Sequence, residues 1–414
     1  MVLTNKNGRQ INGKRPVNVL SGNKVTDHFL KYLSLGGLYS IWGDKIWNLQ
    51  NFTVMILILL GLAHMFISIY ILISDIESCA VIMHHAILVV DVEVGVLYAY
   101  FRRTRVRRLI IDMQLSYDYD SPVVSEFMKG HVKKRLEAMG LFFKGVLLLT
   151  SYTQINLIIF SVVEWYIRDD KEYLLLYPGA FPFDLSFVPY NILAYLWEEI
   201  VMQQAGLTIY GVMAMVFLYY SYLKNELELL QFAIDHSKER ALELAERTGG
   251  EPSRALEESY KICASMCAEH HIQIIDFYND SNIICRLVYL IVFFDGLLVC
   301  VCSGFALISD NTSLKIKFVG VTVIQLIFIY VMCWFGEKLS DVSEAVRQSI
   351  YGVNWYDMPR ECHTTFKLML ERTMRPLGFT TLTGQKVDLE NYMGMIKASY
   401  SYFNMMLAAQ EGHC

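Results

Sequence analysis

Cys333-Trp334-Phe335-Gly336-Glu337-Lys338-Leu339-Ser340 closes an apolar run and opens a polar one. Asn354-Trp355-Tyr356-Asp357-Met358-Pro359 comes next, then Leu368-Met369-Leu370-Glu371-Arg372-Thr373, Pro376 and Ser399-Tyr400-Ser401-Tyr402-Phe403-Asn404. The order describes an apolar span, a polar helix marked by Trp and Pro, and a short final span over 388–409. The rest of the chain has the composition this demands. Of 414 residues 54% are hydrophobic and 13% aromatic, with a mean hydropathy of +0.34. That is too apolar for an ordinary soluble domain and points to several passages through a bilayer.

A helix needs about 20 mostly apolar residues to cross the hydrocarbon core. Seven stretches serve: 46–73, 79–101, 140–167, 191–223, 286–308, 316–336 and 388–409. The second and seventh are the weakest, the second carrying His84, His85, Asp91 and Glu93 and the seventh Asn391 and Lys397. Polar groups are costly in lipid, so these two helices should face protein or water. Lys and Arg number 29 in segments 1–45, 102–139, 224–285 and 337–387, against 3 in the alternate segments. The basic side is cytoplasmic, which sets the N-terminus inside and the C-terminus outside, the reverse of a G-protein-coupled receptor. Residues 1–45 are polar and basic with no cleavable apolar segment, so insertion falls to the first span.

Between spans four and five, Gly249-Gly250-Glu251-Pro252 breaks what are otherwise two helical extensions. With 337–387 these extensions should form a helical layer beneath the membrane. Nine cysteines are scattered through spans and cytosolic segments and form no disulfide framework. The sequence holds no phosphate loop, no nucleophile–base arrangement and no metalloenzyme motif, so neither enzymatic activity, a cofactor nor a nucleic-acid partner is expected.

The ordered C-terminal motifs resemble the signature of insect odorant receptors. Leu174-Leu175-Leu176-Tyr177-Pro178-Gly179-Ala180-Phe181-Pro182-Phe183-Asp184 is similar to the second extracellular loop of that family. The resemblance implies an all-α, seven-span, ligand-gated cation channel at the plasma membrane of the olfactory neuron dendrite. Its parts would be a cytoplasmic segment 1–45, spans one to six over 46–336, an anchor region 337–387 and a pore helix with short tail over 388–414. It implies a heterotetramer with the odorant co-receptor, a small volatile organic ligand, and permeant Na+, K+ and Ca2+. Segment 224–285 lacks the long acidic, Ser-rich insertion expected of the co-receptor itself. The alternatives are a gustatory receptor channel and, from another class, a membrane transporter or metabotropic chemoreceptor.

Aligning Tyr402-Phe403 with the family's aromatic pair puts Ser401, Met405, Ala408 and Ala409 at the pore, with Met405 as the apolar gate. A ring of such side chains blocks ions by dewetting. Taken without the resemblance, the small residues of span seven describe a buried packing helix. The pocket implied by the family lies in the outer half of spans two to five. Candidates are His84, His85 and Leu88 on span two, Tyr152, Asn156, Ile159 and Phe160 on span three, and Trp197, Val201, Met202, Ala205 and Thr208 on span four. Each can equally be ordinary interhelical packing. Loop 168–190, restrained by three prolines, forms the lid of that pocket or a surface loop.

Among the other polar residues, Glu93 and Lys144 lie at similar depth and read as a structural ion pair, while Asp295 reads as unpaired. Cys263-x-x-x-Cys267 with His270 and His271 has zinc-ligand residue types without a second pair at the required spacing, so no metal is expected. Arg102, Arg103, Arg105, Arg107 and Arg108 are first a topology signal and second a contact for lipid headgroups. Asn311-Thr312-Ser313 is an outward-facing glycosylation sequon.

Overall fold

Several helices are about twice the length a bilayer needs, and their surplus builds a second layer. The computed structural model describes residues 17–18, 24–38, 44–167, 174–248, 251–308 and 312–411. Asn311 and most of segment 1–45 lie outside them. The helices are α1 (Lys24–Leu35), α2 (Asp44–Ile71), α3 (Ile76–Phe101), α4 (Arg103–Asp112), α5 (Pro122–Ile167) and α6 (Val188–Asp235), followed by α7 (Ser237–Thr248), α8 (Pro252–Ile308), α9 (Thr312–Gly352), α10 (Arg360–Thr373) and α11 (Leu389–Glu411). A two-residue pair, β1 (Val17–Asn18) with β2 (Leu115–Ser116), is antiparallel. The protein is all-α.

Helix ends follow local chemistry. Asp75 caps α3 by accepting the Ser78 N–H at 3.2 Å. Prolines start α5 and α8 and fall in the first turn of α6, where a missing N–H costs nothing. The expected break at 249–252 separates α7 from α8. A second break, at His236, divides the extension of span four into α6 and α7.

Leu49–Ile71, Ser78–Phe101 and stretches of α6, α8 and α9 are long and apolar enough to cross a membrane. α5 and α11 carry the other two expected spans. At 1.5 Å per residue the 57 residues of α8 extend about 86 Å, against the roughly 30 Å of a hydrocarbon core. The overhangs of α6, α8 and α9 pack with α4, α7 and α10.

Aromatic rings bind this region together. Phe142 stacks on Phe217 at 3.8 Å, Tyr220 on Phe335 at 4.8 Å, and Phe127 on Phe232 at 3.9 Å. Such pairs contribute about 0.5–1.5 kcal/mol each beyond area burial. Gly336, in the motif that opened the sequence reading, abuts the Val387 carbonyl so closely that a side chain there would displace the entry to α11. The linker before α11 docks on α8: Tyr278 donates to the Gly378 carbonyl at 2.6 Å, and Asn282 Oδ1 accepts the Thr380 N–H at 3.2 Å.

Candidate functional site

The outer loop turns back into the bundle rather than lying over it. Leu176 and Tyr177 are buried between α2, α3 and α6. Glu198 on α6, 0% exposed, accepts the Leu176 N–H at 2.8 Å. The Tyr177 hydroxyl lies 3.3 Å from His64 Nδ1 of α2, and its ring is 5.5 Å from that of His85 on α3. Burial and the neighbouring Glu198 carboxyl push the Tyr177 phenol well above its usual range, so it stays neutral. Ser68 Oγ accepts the Ala180 N–H at 2.9 Å, and the Phe181 ring lies 4.4 Å from His64. At Gly179 a methyl group would stand 2.6 Å from Glu198 Oε1, so only glycine lets the loop come this close.

The expected pocket residues divide into three groups. His84 and His85 are buried beneath the loop, and His85 Nδ1 donates to the Val81 carbonyl at 2.8 Å. Leu88 and Trp197 are half-buried, while Val201, Met202 and Ala205 are buried on α6. Val201 packs against the bare Gly61 of α2, and the Met202 carbonyl accepts from Gln154 of α5 at 3.2 Å. Thr208 sits deeper and donates to the Gly36 carbonyl at 3.0 Å, fastening α6 to the end of α1. Tyr152, 56% exposed, and Ile159 stand on the outer face of α5. The side chains of Asn156 and Phe160 lie outside the described residues.

Sequence reasoning did not single out His64, Tyr177 or Glu198. For Glu198 a signal was present: Glu198-Glu199 within an apolar span is as costly in lipid as the carboxylates of span two.

Halfway through the membrane layer lies a second polar group. Asp91 of α3 is within hydrogen-bonding reach of Asp295 of α8, and Gln325 of α9 donates to Asp295 at 2.6 Å. Asp295 is therefore partnered, contrary to the sequence reading. The Glu93–Lys144 pair does not form: the Glu93 carboxylate is buried without a hydrogen-bond partner among the described residues, and Lys144 is exposed on α5.

Next to Asp295, Gly296 brings α8 against Ile329 of α9 and Met395 of α11. Met395 is the buried side of the last helix. Ser401, Tyr402, Asn404, Met405 and Ala408 are uncovered, Met405 by 61%. The side chain of Ala409 lies outside the described residues. Helix α11 thus presents hydroxyl, amide and, at Lys397, ammonium groups on a side that no described residue covers.

Near the C-terminal end of α6, Glu226 ties that helix to β2 and α8. It accepts from His270 Nε2 at 3.0 Å and Ser116 Oγ at 2.8 Å, while His270 Nδ1 meets the Tyr119 hydroxyl at 2.7 Å. The Cys263-x-x-x-Cys267 pair faces an arginine: Arg240 donates to Cys267 Sγ at 3.4 Å and stacks 4.4 Å over Tyr119. Among the described residues no three metal-ligating side chains converge.

The family model described as 7tm Odorant receptor matches residues 94–400. Odorant receptor Or2 of Anopheles gambiae is 23% identical over 141 residues, 34% of this chain and 37% of that protein. Odorant receptor 46a, isoform A, of Drosophila melanogaster is 20% identical over 217 residues, 52% of this chain and 54% of its own. The odorant receptor coreceptor of Aedes aegypti is 25% identical over 92 residues, 22% of this chain and 19% of that one. The match with each of these three relatives spans less than two thirds of the relative's length. The insect olfactory receptor OR5 from Machilis hrabei, solved in complex with eugenol, superposes with a TM-score of 0.79 over 95% of this chain and 100% of that one, at 13% identity.

Proposed function

The chain belongs to the 7tm odorant receptor family, and from that premise we propose that it is the ligand-tuned subunit of an odorant-gated, non-selective cation channel. It assembles with the odorant co-receptor as a heterotetramer in the plasma membrane of olfactory dendrites. The observation that carries this reading is the uncovered polar side of α11. In a lone protomer Ser401 and Asn404 would face lipid without a polar partner, which is unfavourable. Around a shared, water-filled axis they are solvated. Met405 then narrows that axis as the apolar gate, with Ala408 and Ala409 beyond it, and Na+, K+ and Ca2+ pass when it widens.

The basic segments set the N-terminus in the cytosol and the C-terminus outside, with 337–387 as anchor and Asn311 available for glycosylation. The ligand is a small volatile organic molecule held under the loop among His84, His85, Leu88, Trp197, Val201, Met202 and Ala205, with Asn156, Phe160 and Thr208 as further contacts. A mostly apolar wall with a few polar groups suits such guests. Binding opens the channel only as far as the volatile prefers the open state.

Patch-clamp recording in cells with and without the co-receptor, screened against a volatile panel, tests the reading. The expected result is a volatile-evoked cation current that needs both chains and survives blockade of G proteins by a non-hydrolysable GDP analogue. Loss of the response under that blockade identifies a metabotropic receptor instead, and substrate uptake without current identifies a transporter.

A further inference from the structure

Helices α5 and α6 meet at a bare position. A methyl group on Gly206 of α6 would stand 2.5 Å from Gln154 Nε2 of α5, so the glutamine amide comes to rest against the neighbouring backbone. From there Nε2 donates to the Met202 carbonyl at 3.2 Å. A carbonyl only accepts, so the amide cannot be turned over. Its Oε1 is left buried, with no hydrogen-bond partner among the described residues.

Glu199 is half-buried and stands one heptad before Gly206, on nearly the same side of α6, roughly 20° round. Its Oε1 accepts from Gln203 Nε2 at 2.6 Å. Its Oε2 is buried and, like Gln154 Oε1, has no partner among the described residues. The first of these groups reaches the Met202 carbonyl and the second lies between Glu199 and Gln203, so their heights differ by about one turn of α6. The Tyr195 phenol, one turn outward, neighbours Glu199.

What this crevice lacks is a donor. Both amide nitrogens have an acceptor, whereas one oxygen of Gln154 and one of Glu199 have nothing to accept from. An empty buried acceptor is unfavourable, and a carboxylate at this depth without a cation is more so. Ethers, esters and ketones would add only further acceptors. An alcohol fills one acceptor but brings lone pairs of its own. A primary ammonium brings three donors, no lone pair and the missing positive charge. With bonds of about 2.8 Å on either side, it bridges acceptors about one turn apart.

We propose that the volatile to which this subunit is tuned is a primary amine, held as its ammonium between Glu199 Oε2 and Gln154 Oε1 in the α5–α6 crevice. Its hydrocarbon part meets Met202, whose flexible thioether adapts to the shape of the guest. This inference rests on the reading of the chain as the odorant-tuned subunit.

The test is patch-clamp recording of the chain with its co-receptor against matched volatiles: hexylamine, hexanol and hexyl methyl ether, with the corresponding octyl and phenethyl sets. A hydrogen bond to a charged group is worth a factor of roughly 10 to 150 in affinity. At least one amine should therefore act at about a tenth or less of the concentration its alcohol and ether require. Glu199→Gln keeps the size and the Gln203 contact but removes the charge, and should cut the amine-to-alcohol ratio by about tenfold or more. Gln154→Leu removes the second acceptor and leaves the carboxylate, so it should cut the ratio by less. Equal potency of amines and alcohols in the wild type, or a ratio unmoved in Glu199→Gln, overturns the inference. A preference for alcohols that Gln154→Leu abolishes assigns the crevice to hydroxylic volatiles instead. Should Glu199→Gln not reach the cell surface, the wild-type ratio and its change in Gln154→Leu decide. Currents evoked by other volatiles but by no amine sink the amine assignment alone. No volatile-evoked current with the co-receptor present, at normal surface expression, overturns the reading beneath it.

Discussion

Replacing Gly179 with alanine should pry the outer loop from its seat. A methyl group there would stand 2.6 Å from Glu198 Oε1, 2.9 Å from His64 Cε1 and 3.2 Å from Phe181 Cε2, where ordinary contact begins at 3.4 Å. The largest shortfall is 3.4 less 2.6, or about 0.8 Å. Glu198 cannot yield it cheaply, because it is fully buried and its other oxygen holds the Leu176 N–H at 2.8 Å. The loop must retreat, and a retreat of that size takes the bond beyond hydrogen-bonding range. Leaving the buried Leu176 N–H unsatisfied costs about 1–3 kcal/mol, so the closed loop loses a factor of roughly 5 to 150. Co-expressed with the co-receptor and recorded by patch clamp, Gly179→Ala should need about fivefold or more odorant for half-maximal current. Its current should decay faster on washout, with the reversal potential unmoved. Gly145→Ala is the control: nothing lies within 4 Å of its added methyl, so its response should match the wild type. An unchanged dose–response curve and washout for Gly179→Ala, at normal surface expression, would refute the reasoning.

Met405→Ala removes an uncovered apolar side chain near the end of α11, and should raise resting current severalfold before any ligand; a silent baseline at normal expression counts against Met405 as the gate. Glu226→Ala strips His270 and Ser116 of a buried acceptor and should cost about 3–5 kcal/mol, read as a fall in the thermal unfolding midpoint of the detergent-purified assembly. Gln325→Leu leaves Asp295 without its donor and should cost about 1–3 kcal/mol in the same assay, whereas an unchanged midpoint would mean that the pair is not held as described.

Hydropathy and charge made the spans legible, because the bilayer imposes a length and a polarity that survive any detail of packing. What they could not supply was which polar group meets which. Glu93 and Lys144 share a depth, yet Lys144 points off the outside of α5, and depth fixes height but not azimuth. Asp295 looked solitary because its partners, Asp91 of α3 and Gln325 of the next helix, are brought to it only by the packing of α3 and α9 on α8. The break at His236 has no Gly or Pro to announce it, unlike 249–252. At the candidate site, an apolar residue such as Val201 could be named from position, but its neighbour Gly61 could not. A glycine advertises a close approach only once the other helix is in view. Tyr177 was read as part of a lid, and its burial depends on Glu198 taking the Leu176 N–H inside the bundle.

The placement of the polar groups bears on how a ligand under the loop could reach the last helix. Tyr177 touches His85 on α3, and Asp91, six residues further along that helix, meets Asp295 on α8. One residue on, Gly296 lies against Met395 of α11. Each step is a packed contact, but contact alone is no evidence of coupling; what matters is whether an element has two arrangements that both sites bias. The carboxyl pair constrains that choice. Pulling α3 from α8 would leave Asp91 and Asp295 facing hydrocarbon, which costs far more than the kilocalorie or so an odorant contact supplies. These two helices should therefore move as one body. Sliding at Gly296, where a bare backbone meets the flexible thioether of Met395, would release α11 more cheaply than separation at Asp295.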